Sequence, residues 1–176
     1  MQHKHHIVFL TGAGISQESG ISTFRDANGL WNNHKLEEVA SPEGFEKNPQ
    51  LVLDFYNARR RQLDEVNPNE AHHLIAQLET KYNVTIITQN IDDLHERAGS
   101  TNVLHLHGEL RKCRSSKNPN LIYTCTQDIK LGDLASDGNQ LRPHIVWFGE
   151  AVTEIEKAIA ITQLADLFVI VGTSMV

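Results

Sequence analysis

The chain has 176 residues, of which 40% are hydrophobic and 22% charged, with eleven glycines. That is the composition of a globular chain with a real core, and the length fits one domain of roughly 100–200 residues rather than two. Sixteen basic against 22 acidic side chains give a net charge of −6, which speaks against a surface built to neutralise nucleic-acid phosphates. No apolar run approaches the roughly 18–20 residues that cross a bilayer, so a soluble protein without membrane association is expected. The start of the chain is too short in apolar length for a secretory signal. With only two cysteines, Cys113 and Cys125, a reducing, cytoplasmic location is expected, and a four-thiolate zinc site cannot be built from one chain.

Ile7 to Leu10 is a β-rich run that enters Thr11-Gly12-Ala13-Gly14, the pattern of a buried parallel strand feeding a tight turn, and it suggests a nucleotide site. Ser16 to Asn33 is polar and aperiodic and reads as a long functional loop. After Asn48-Pro49, apolar residues at Leu51, Val52, Phe55, Ala58, Leu63 and Val66 keep helical spacing, with Pro49 suited to a first turn. A second helix follows Asn67-Pro68, with Ala71, Leu74, Ile75, Leu78 and Tyr82 on one face, and the two read as an inserted helical pair.

Val84 to Thr88 is β-branched throughout and ends in Gln89-Asn90; Asp92 is then expected to cap a short helix that stops at Gly99. Val103 to Leu106 gives a further strand, ending in His107-Gly108. Residues 109–139 are polar and irregular and read as a second insertion, after which His144 to Phe148 is strand-like. Thr153 is expected to cap a helix carrying Ile155, Ala158, Ile159 and Leu164, and Leu167 to Val171 is a strand running into Gly172-Thr173-Ser174.

Strands alternating with helices predict an α/β fold, a Rossmann-like parallel sheet with helices on both faces and two small insertions, with ligands at the carboxyl ends of the strands. The sheet parts fall at about 1–34, 84–110 and 142–176, the helical insertion at about 35–83 and the smaller one at about 111–141, within one catalytic domain. The strand-to-helix connection after Gly172 is unfinished, so a sheet lacking its C-terminal strands is the expectation.

Gly12-Ala13-Gly14 is half of a dinucleotide fingerprint, but Gln17 occupies its last position and no strand ending in an acidic residue follows within about 20 residues. A dehydrogenase-type site is disfavoured, and on this motif alone a turn without a ligand stays open. The longer strings say more. T-G-A-G-I-S-Q-E-S-G-I-S-T-F-R at 11–25, T-Q-N-I-D at 88–92, His105-Leu106-His107-Gly108, Trp147-Phe148-Gly149-Glu150 and Gly172-Thr173-Ser174 follow one another in that order. Together they resemble the sirtuins, the NAD-dependent protein lysine deacylases, from about Ile7 to the last residue.

The resemblance implies NAD as co-substrate. Gly12, Ala13 and Gly14 would admit its pyrophosphate near a helix start. Ser19, Thr23, Phe24 and Arg25 would belong to the cofactor loop, Phe24 closing over the nicotinamide and Arg25 near phosphate and ribose. Ser22-Thr23 stand where the family has Pro-Asp. Gln89, Asn90 and Asp92 would hold ribose hydroxyls and the carboxamide, and Gly172, Thr173 and Ser174 complete the set. His107 matches the general base, acting with Asn90 and Asp92; an imidazole pKa near 6.5 suits the task. Taken alone, one histidine among ten proves little, and Asn90 or Asp92 can serve as a helix cap.

The implied reaction begins when the acyl-lysine oxygen attacks the ribose carbon as nicotinamide leaves. His107 then assists a ribose hydroxyl, and the products are free lysine and acyl-ADP-ribose. Val146, Trp147, Gly149 and Glu150 match the segment that pairs with a peptide substrate by strand addition, with a core role for Trp147 left open.

Tyr56 and Arg59 lie at i and i+3 and so share a helix face, where a phenol and a guanidinium can grip a carboxylate. With their flanking residues they look like the sirtuin branch that removes succinyl, malonyl and glutaryl groups; a core tyrosine beside solvated arginines is the alternative. Succinyl and malonyl groups are therefore favoured over acetyl, which is still accepted. The family carries a structural zinc on two Cys-x-x-Cys pairs, but Cys113 is followed by Ser116 at the paired position and Cys125 has no cysteine neighbour. No zinc is expected; an unconventional site on these two thiols and a histidine, or two inert thiols, remain as readings, and a disulfide between them is disfavoured in a reducing compartment. The expected partners are acyl-lysine proteins or peptides, not nucleic acid or membranes. Competing readings are a non-catalytic NAD- or ADP-ribose-binding fragment and an ADP-ribosyltransferase.

Overall fold

The described residues, 4–21, 30–31 and 34–173 of a computed structural model, fall into two units that interleave along the chain. One comprises Met1–Thr23, Val66–His107 and Val152–Val176, the other Phe24–Glu65 and Gly108–Ala151. In chain order the elements are β1 (His6–Thr11), a 3-10 helix (Ala13–Ser19), β2 (Leu30–Trp31), β3 (His34–Lys35), α1 (Leu36–Val39), α2 (Pro42–Lys47), α3 (Pro49–Glu65), α4 (Glu70–Leu78) and β4 (Asn83–Thr88). There follow α5 (Leu94–Arg97), β5 (Val103–His105), β6 (Gly108–Ser115), β7 (Ile122–Thr124), β8 (Leu141–Ile145), α6 (Ile155–Gln163) and β9 (Leu167–Val171). No helix among the described residues is long and apolar enough to cross a membrane.

The first unit is built on a four-stranded sheet in the order β5-β4-β1-β9, with every neighbouring pair parallel. Alternation along β1 divides its side chains between two cores. Ile7 and Phe9 join Ile75 of α4, Val84 and Ile86 on one face, while Val8 joins Ile87, Leu104 and Ala158 of α6 on the other. Apolar side chains on both faces force helices onto both, which makes the sheet Rossmann-like and leaves the strand ends as the open surface.

Several local expectations are corrected here. Ser16 to Ser19, the start of the stretch read as loop from Ser16 to Asn33, belong to a 3-10 helix, Ala13–Ser19, with Gly12 at its N-cap. The helical pair is divided: α3 belongs to the second unit, and α4 packs on the parallel sheet. Asn69 starts α4, its Oδ1 accepting from the Ala71 N–H while the His72 ring returns to the Asn69 backbone. At α6 the N-cap is Glu154 with no side-chain bond, so Thr153 does not cap it. Asp92 does meet the start of α5, its Oδ1 accepting from the Leu94 N–H at 3.2 Å.

In the second unit, α3 packs its buried face of Val52, Leu53, Phe55, Tyr56, Arg59, Arg60 and Leu63 toward an antiparallel sheet ordered β7-β6-β8. Leu53, Cys113 and Ile129 form its core, with Phe45, Tyr123, Cys125 and Leu141 packed on them. Residues 109–139 are thus not irregular throughout, and β8 is antiparallel to β6 rather than a return to the parallel sheet. The register shifts between Glu109 and Cys113, so the buried positions pass from Gly108 and Leu110 to Cys113 and Ser115. That change of parity erases the period-2 signal by which a strand is read.

Candidate active site

Four strand ends of the first unit lead into the site: β1 into Gly12, β4 into Gln89, β5 into His107 and β9 into Gly172. The Gly12 N–H donates to Val171 O at 3.0 Å and the Gly14 N–H to Gly172 O at 2.8 Å. A Cβ at Gly12 would stand 2.7 Å from Gly172 O, and one at Gly14 2.9 Å from the Gly172 Cα. Both glycines are therefore required by the close approach of two backbone turns, and their amides are directed to the β9 turn. This amends the expectation that their N–H groups serve a pyrophosphate. Gly12 and Gly14, with Ala13 between them, are brought against Gly172 and Thr173; Thr23, Phe24, Arg25 and Ser174 lie outside the described residues.

Ser16 holds the amide and carboxylate side chains in place. Its Oγ accepts from Asn90 Nδ2 at 3.1 Å and donates to Asp92 Oδ2 at 3.0 Å, while Asn90 Nδ2 also donates to Gly12 O. All three side chains are buried. Burial raises the Asp92 carboxyl above its ordinary range; the Leu94 N–H, the Ser16 hydroxyl and His105 pull it back without overcoming that rise. Ser19 is tied to the same region through Asn69, whose Nδ2 donates to Ser19 Oγ and Ile15 O. Neither Ser16 nor Asn69 was singled out from sequence. Gln89 contributes a backbone carbonyl, described next.

His107 and His105 stand on one strand end but are bonded differently. His107 Nδ1 lies 2.9 Å from Gln89 O. A carbonyl only accepts, so Nδ1 carries the proton and Nε2 of the neutral ring keeps its lone pair, as a general base requires. Burial lowers the His107 pKa from its ordinary 6.5, and the bond to Gln89 O only partly offsets this. His105 faces acceptors at both nitrogens, Asn90 O at 3.0 Å and Glu96 Oε1 at 2.8 Å. Two acceptors commit both of its ring nitrogens, which makes it a brace beneath Asn90, whereas the His107 ring keeps the Nε2 lone pair.

A second buried layer joins β1 to β4 beneath these groups. The Thr11 hydroxyl donates to Thr88 Oγ1 at 2.9 Å and, having one proton, accepts from His95 Nε2 at 3.0 Å. Thr88 Oγ1 also accepts from the Asn90 N–H at 3.1 Å. The His95 ring packs edge-on against His72 with centroids 4.9 Å apart, and both are buried. Burial, reinforced by His73 beside His72 and by His72 and His105 beside His95, lowers their pKa values to about 4 and about 3; Glu96 opposes this weakly at His95. In the unfolded chain both titrate near 6.5. The unfolded state therefore binds more protons below that pH, and the stability present above it is lost as pH falls toward the folded values. Urea unfolding is expected to show roughly 4 kcal/mol less stability at pH 5 than at pH 7.5 from this pair. A flat profile between those pH values would contradict the buried neutral pair.

In the second unit, Tyr56 and Arg59 are both buried on α3. The Tyr56 hydroxyl accepts from Trp147 Nε1 at 3.0 Å, and burial pushes the phenol well above its ordinary range, so it keeps its proton at any working pH. Arg59 stacks toward Phe55. Trp147 is a core residue, packed against Phe45 and Tyr56 with the Arg142 guanidinium over its ring.

Glu150, expected in the segment that pairs with a substrate backbone, has its carboxylate occupied within the second unit. Arg142 bonds it at 2.7 and 3.1 Å, Arg114 at 3.2 Å to each oxygen, and the Trp147 N–H at 2.8 Å. The strand-like run also ends at Ile145, and Trp147 to Glu150 fold into a turn with Gly149 at φ 88°, leaving Val146 half-buried and Phe148 exposed.

A zinc centre of four thiolates does not fit these residues. Among the described residues no group of three or more His, Cys, Asp or Glu side chains is placed to hold a metal ion. Ser115, beside Cys113, spends its hydroxyl on Asp137.

A parallel sheet whose strand ends gather a glycine turn, a buried amide and carboxylate on one serine, and an imidazole with a bare nitrogen defines a nucleotide-using enzyme of the Rossmann-like class. Comparison with known proteins narrows the class. The model of the Sir2 family matches residues 12–176. An NAD-dependent protein deacylase of Helicobacter pylori is 63% identical over 170 residues, which cover 97% of this chain and 74% of the relative. A solved mutant of a Sir2 homologue in complex with ADP-ribose superposes with a TM-score of 0.88 at 42% identity, covering 98% of this chain and 72% of that one. A Sir2 homologue solved with NAD gives 0.85 at 42% identity, covering 97% and 69%. The chain belongs to the Sir2 family of NAD-dependent protein deacylases, which use NAD as co-substrate.

Proposed function

We propose that this deacylase acts on acyl-lysine in proteins or peptides and favours acyl groups ending in a carboxylate, succinyl and malonyl above acetyl. The observation that carries the preference is the buried Arg59 one helical turn from the protonated phenol of Tyr56. A desolvated guanidinium recognises a carboxylate through two parallel bonds, and a phenol adds a third donor. An acetyl group offers neither charge nor acceptor at that position.

In the first unit we assign catalysis to His107, Asn90 and Asp92. NAD, when bound, supplies the ribose carbon that takes up the acyl oxygen as nicotinamide departs. His107 Nε2 takes the proton of a ribose hydroxyl while Nδ1–H stays on Gln89 O, which keeps the ring aimed. Asn90 offers an amide and Asp92 a carboxylate for ribose hydroxyls and the carboxamide, and Ser16 fixes their spacing. Gly12, Ala13, Gly14, Ser19, Gly172 and Thr173 would line the cofactor, with Thr23, Phe24, Arg25 and Ser174 assigned from the sequence alone.

The test is nicotinamide release by the purified chain, given NAD and matched acetyl- and succinyl-lysine peptides, with products identified by mass. Succinyl-lysine is expected to turn over faster, with succinyl-ADP-ribose formed. Equal turnover of both peptides would refute the preference, and ADP-ribose attached to protein would replace deacylation with transfer.

A further inference from the structure

We infer that Cys113 and Cys125 form a peroxide-reactive thiol pair, with Cys125 the attacking thiolate and Cys113 the thiol that closes an intramolecular disulfide. Cys113 stands opposite Tyr123 in the β6–β7 ladder, so Cys125, two residues further, is its diagonal neighbour on the same sheet face. Cys113 is 3% exposed, whereas Cys125 is only part-buried and lies one residue beyond the end of β7. The accessible thiol thus sits against a sheltered one, the arrangement of a reacting and a resolving cysteine.

Arg60 supplies the second, independent observation. Its side chain is 1% exposed and bonds Leu110 O through Nε and Asn57 Oδ1 through Nη1, but its buried Nη2 has no hydrogen-bond partner among the described residues. The groups that act most on its charge are the sulfurs of Cys125 and Cys113, and then Asp128, whose carboxylate is paired with Arg61. A buried guanidinium without a carboxylate of its own favours a thiolate beside it. The Cys125 sulfur lies 3.3 Å from Gln127 O, and the neighbouring Cys113 thiol together with the Arg60 charge lowers the Cys125 pKa against the opposing effect of burial, while Cys113 is pushed up.

The chemistry balances with a hydroperoxide as oxidant. The Cys125 thiolate attacks one peroxide oxygen and the O–O bond breaks; that oxygen stays on sulfur as a sulfenic acid, and hydroxide leaves. The Cys113 sulfur then attacks the Cys125 sulfur, its proton joins the departing hydroxyl as water, and the two sulfurs together have given two electrons to the peroxide. Diagonal Cα atoms on a ladder are about 7–8 Å apart and a disulfide needs less than about 7 Å, so Cys125 must move in. The bond also consumes the thiolate that faces Arg60. Both effects favour the reduced state, so the disulfide is readily reversed.

The test uses the whole chain. Iodoacetamide labelling of Cys125 against pH is expected to show a midpoint below the roughly 8.5 of an ordinary thiol. Stoichiometric hydrogen peroxide is expected to remove two hydrogen atoms from the intact mass and both labelling sites, and glutathione to restore them. In Cys113→Ser the product is expected to be a dimedone-trapped sulfenic acid on Cys125. A midpoint near that of an ordinary thiol, a peroxide product that links two chains, or a loss of labelling reversed by a chelator rather than by glutathione would each overturn the proposal, and the wild-type measurements hold whether or not the variant folds.

Discussion

Replacing His107 with alanine is expected to lower kcat/KM for deacylation by about 10³-fold while leaving ADP-ribose binding within a few-fold of wild type. The asymmetry follows from how the ring is held. Among the described residues the His107 ring makes one bond, through Nδ1 to a backbone carbonyl, so its removal costs the first unit little. What it removes is the only nitrogen of the His105-His107 pair whose lone pair is uncommitted, since both nitrogens of His105 face acceptors. His107→Gln offers an amide in roughly the same place without a base, and is expected to bind ADP-ribose and remain inactive. A variant that loses binding and turnover in parallel would place His107 in the cofactor cradle and leave the base unassigned.

The pH profile of the wild-type enzyme bears on the same assignment. The base must be unprotonated, and burial lowers its pKa, so the acid limb of kcat/KM is expected below 6.5. Protonation of His72 and His95 weakens the first unit in the same direction, toward acid. The two are separable by rate: loss from His107 reverses at once when pH is restored, whereas unfolding driven by the buried pair also removes ADP-ribose binding and the helical signal.

The parallel sheet was legible because β1 and β4 are short apolar runs buried on both faces, and Leu167–Val171, though exposed or half-buried, reads as strand from composition alone. The antiparallel sheet was not. Its long strand β6 carries Glu109, Arg111, Lys112 and Arg114 at its half-buried positions and changes parity at a bulge. Helix periodicity located α3 and α4 but holds no information about which sheet each one covers.

In the site, His107, Asn90 and Asp92 were readable from their strings, while Ser16, Thr11, Thr88 and His95 act through one another across positions some eighty residues apart, and no local pattern reports that. The glycine turn was found for an incomplete reason, since the space it leaves is filled by Gly172. Glu150 shows the reverse case: an acidic residue in a substrate-like string whose carboxylate two arginines and a backbone amide already occupy. Arg60 was hidden in a run of three arginines, of which Arg61 is exposed and the other two are buried.

Arg59→Met is expected to lower kcat/KM for succinyl-lysine by about 100-fold and to change deacetylation by less than about threefold. Methionine removes the guanidinium that faces the Phe55 ring but keeps most of the apolar stem, so the packing of α3 is preserved better than with alanine. The size of the loss comes from the acyl carboxylate: without the guanidinium it is desolvated beside a single phenol, a situation costing about 3 kcal/mol relative to the paired state. Most of that is expected in KM, since the carboxylate lies several bonds from the reacting carbonyl and its bonds change little between bound substrate and transition state. Tyr56→Phe is a poorer probe of the same clamp, because the lost hydroxyl also accepts from Trp147 Nε1 and the buried indole N–H would be left unpaired. Stability would then fall along with both activities. If Arg59→Met lowers succinyl and acetyl turnover by the same factor, the buried guanidinium serves the second unit's structure and the preference for charged acyl groups must be sought elsewhere.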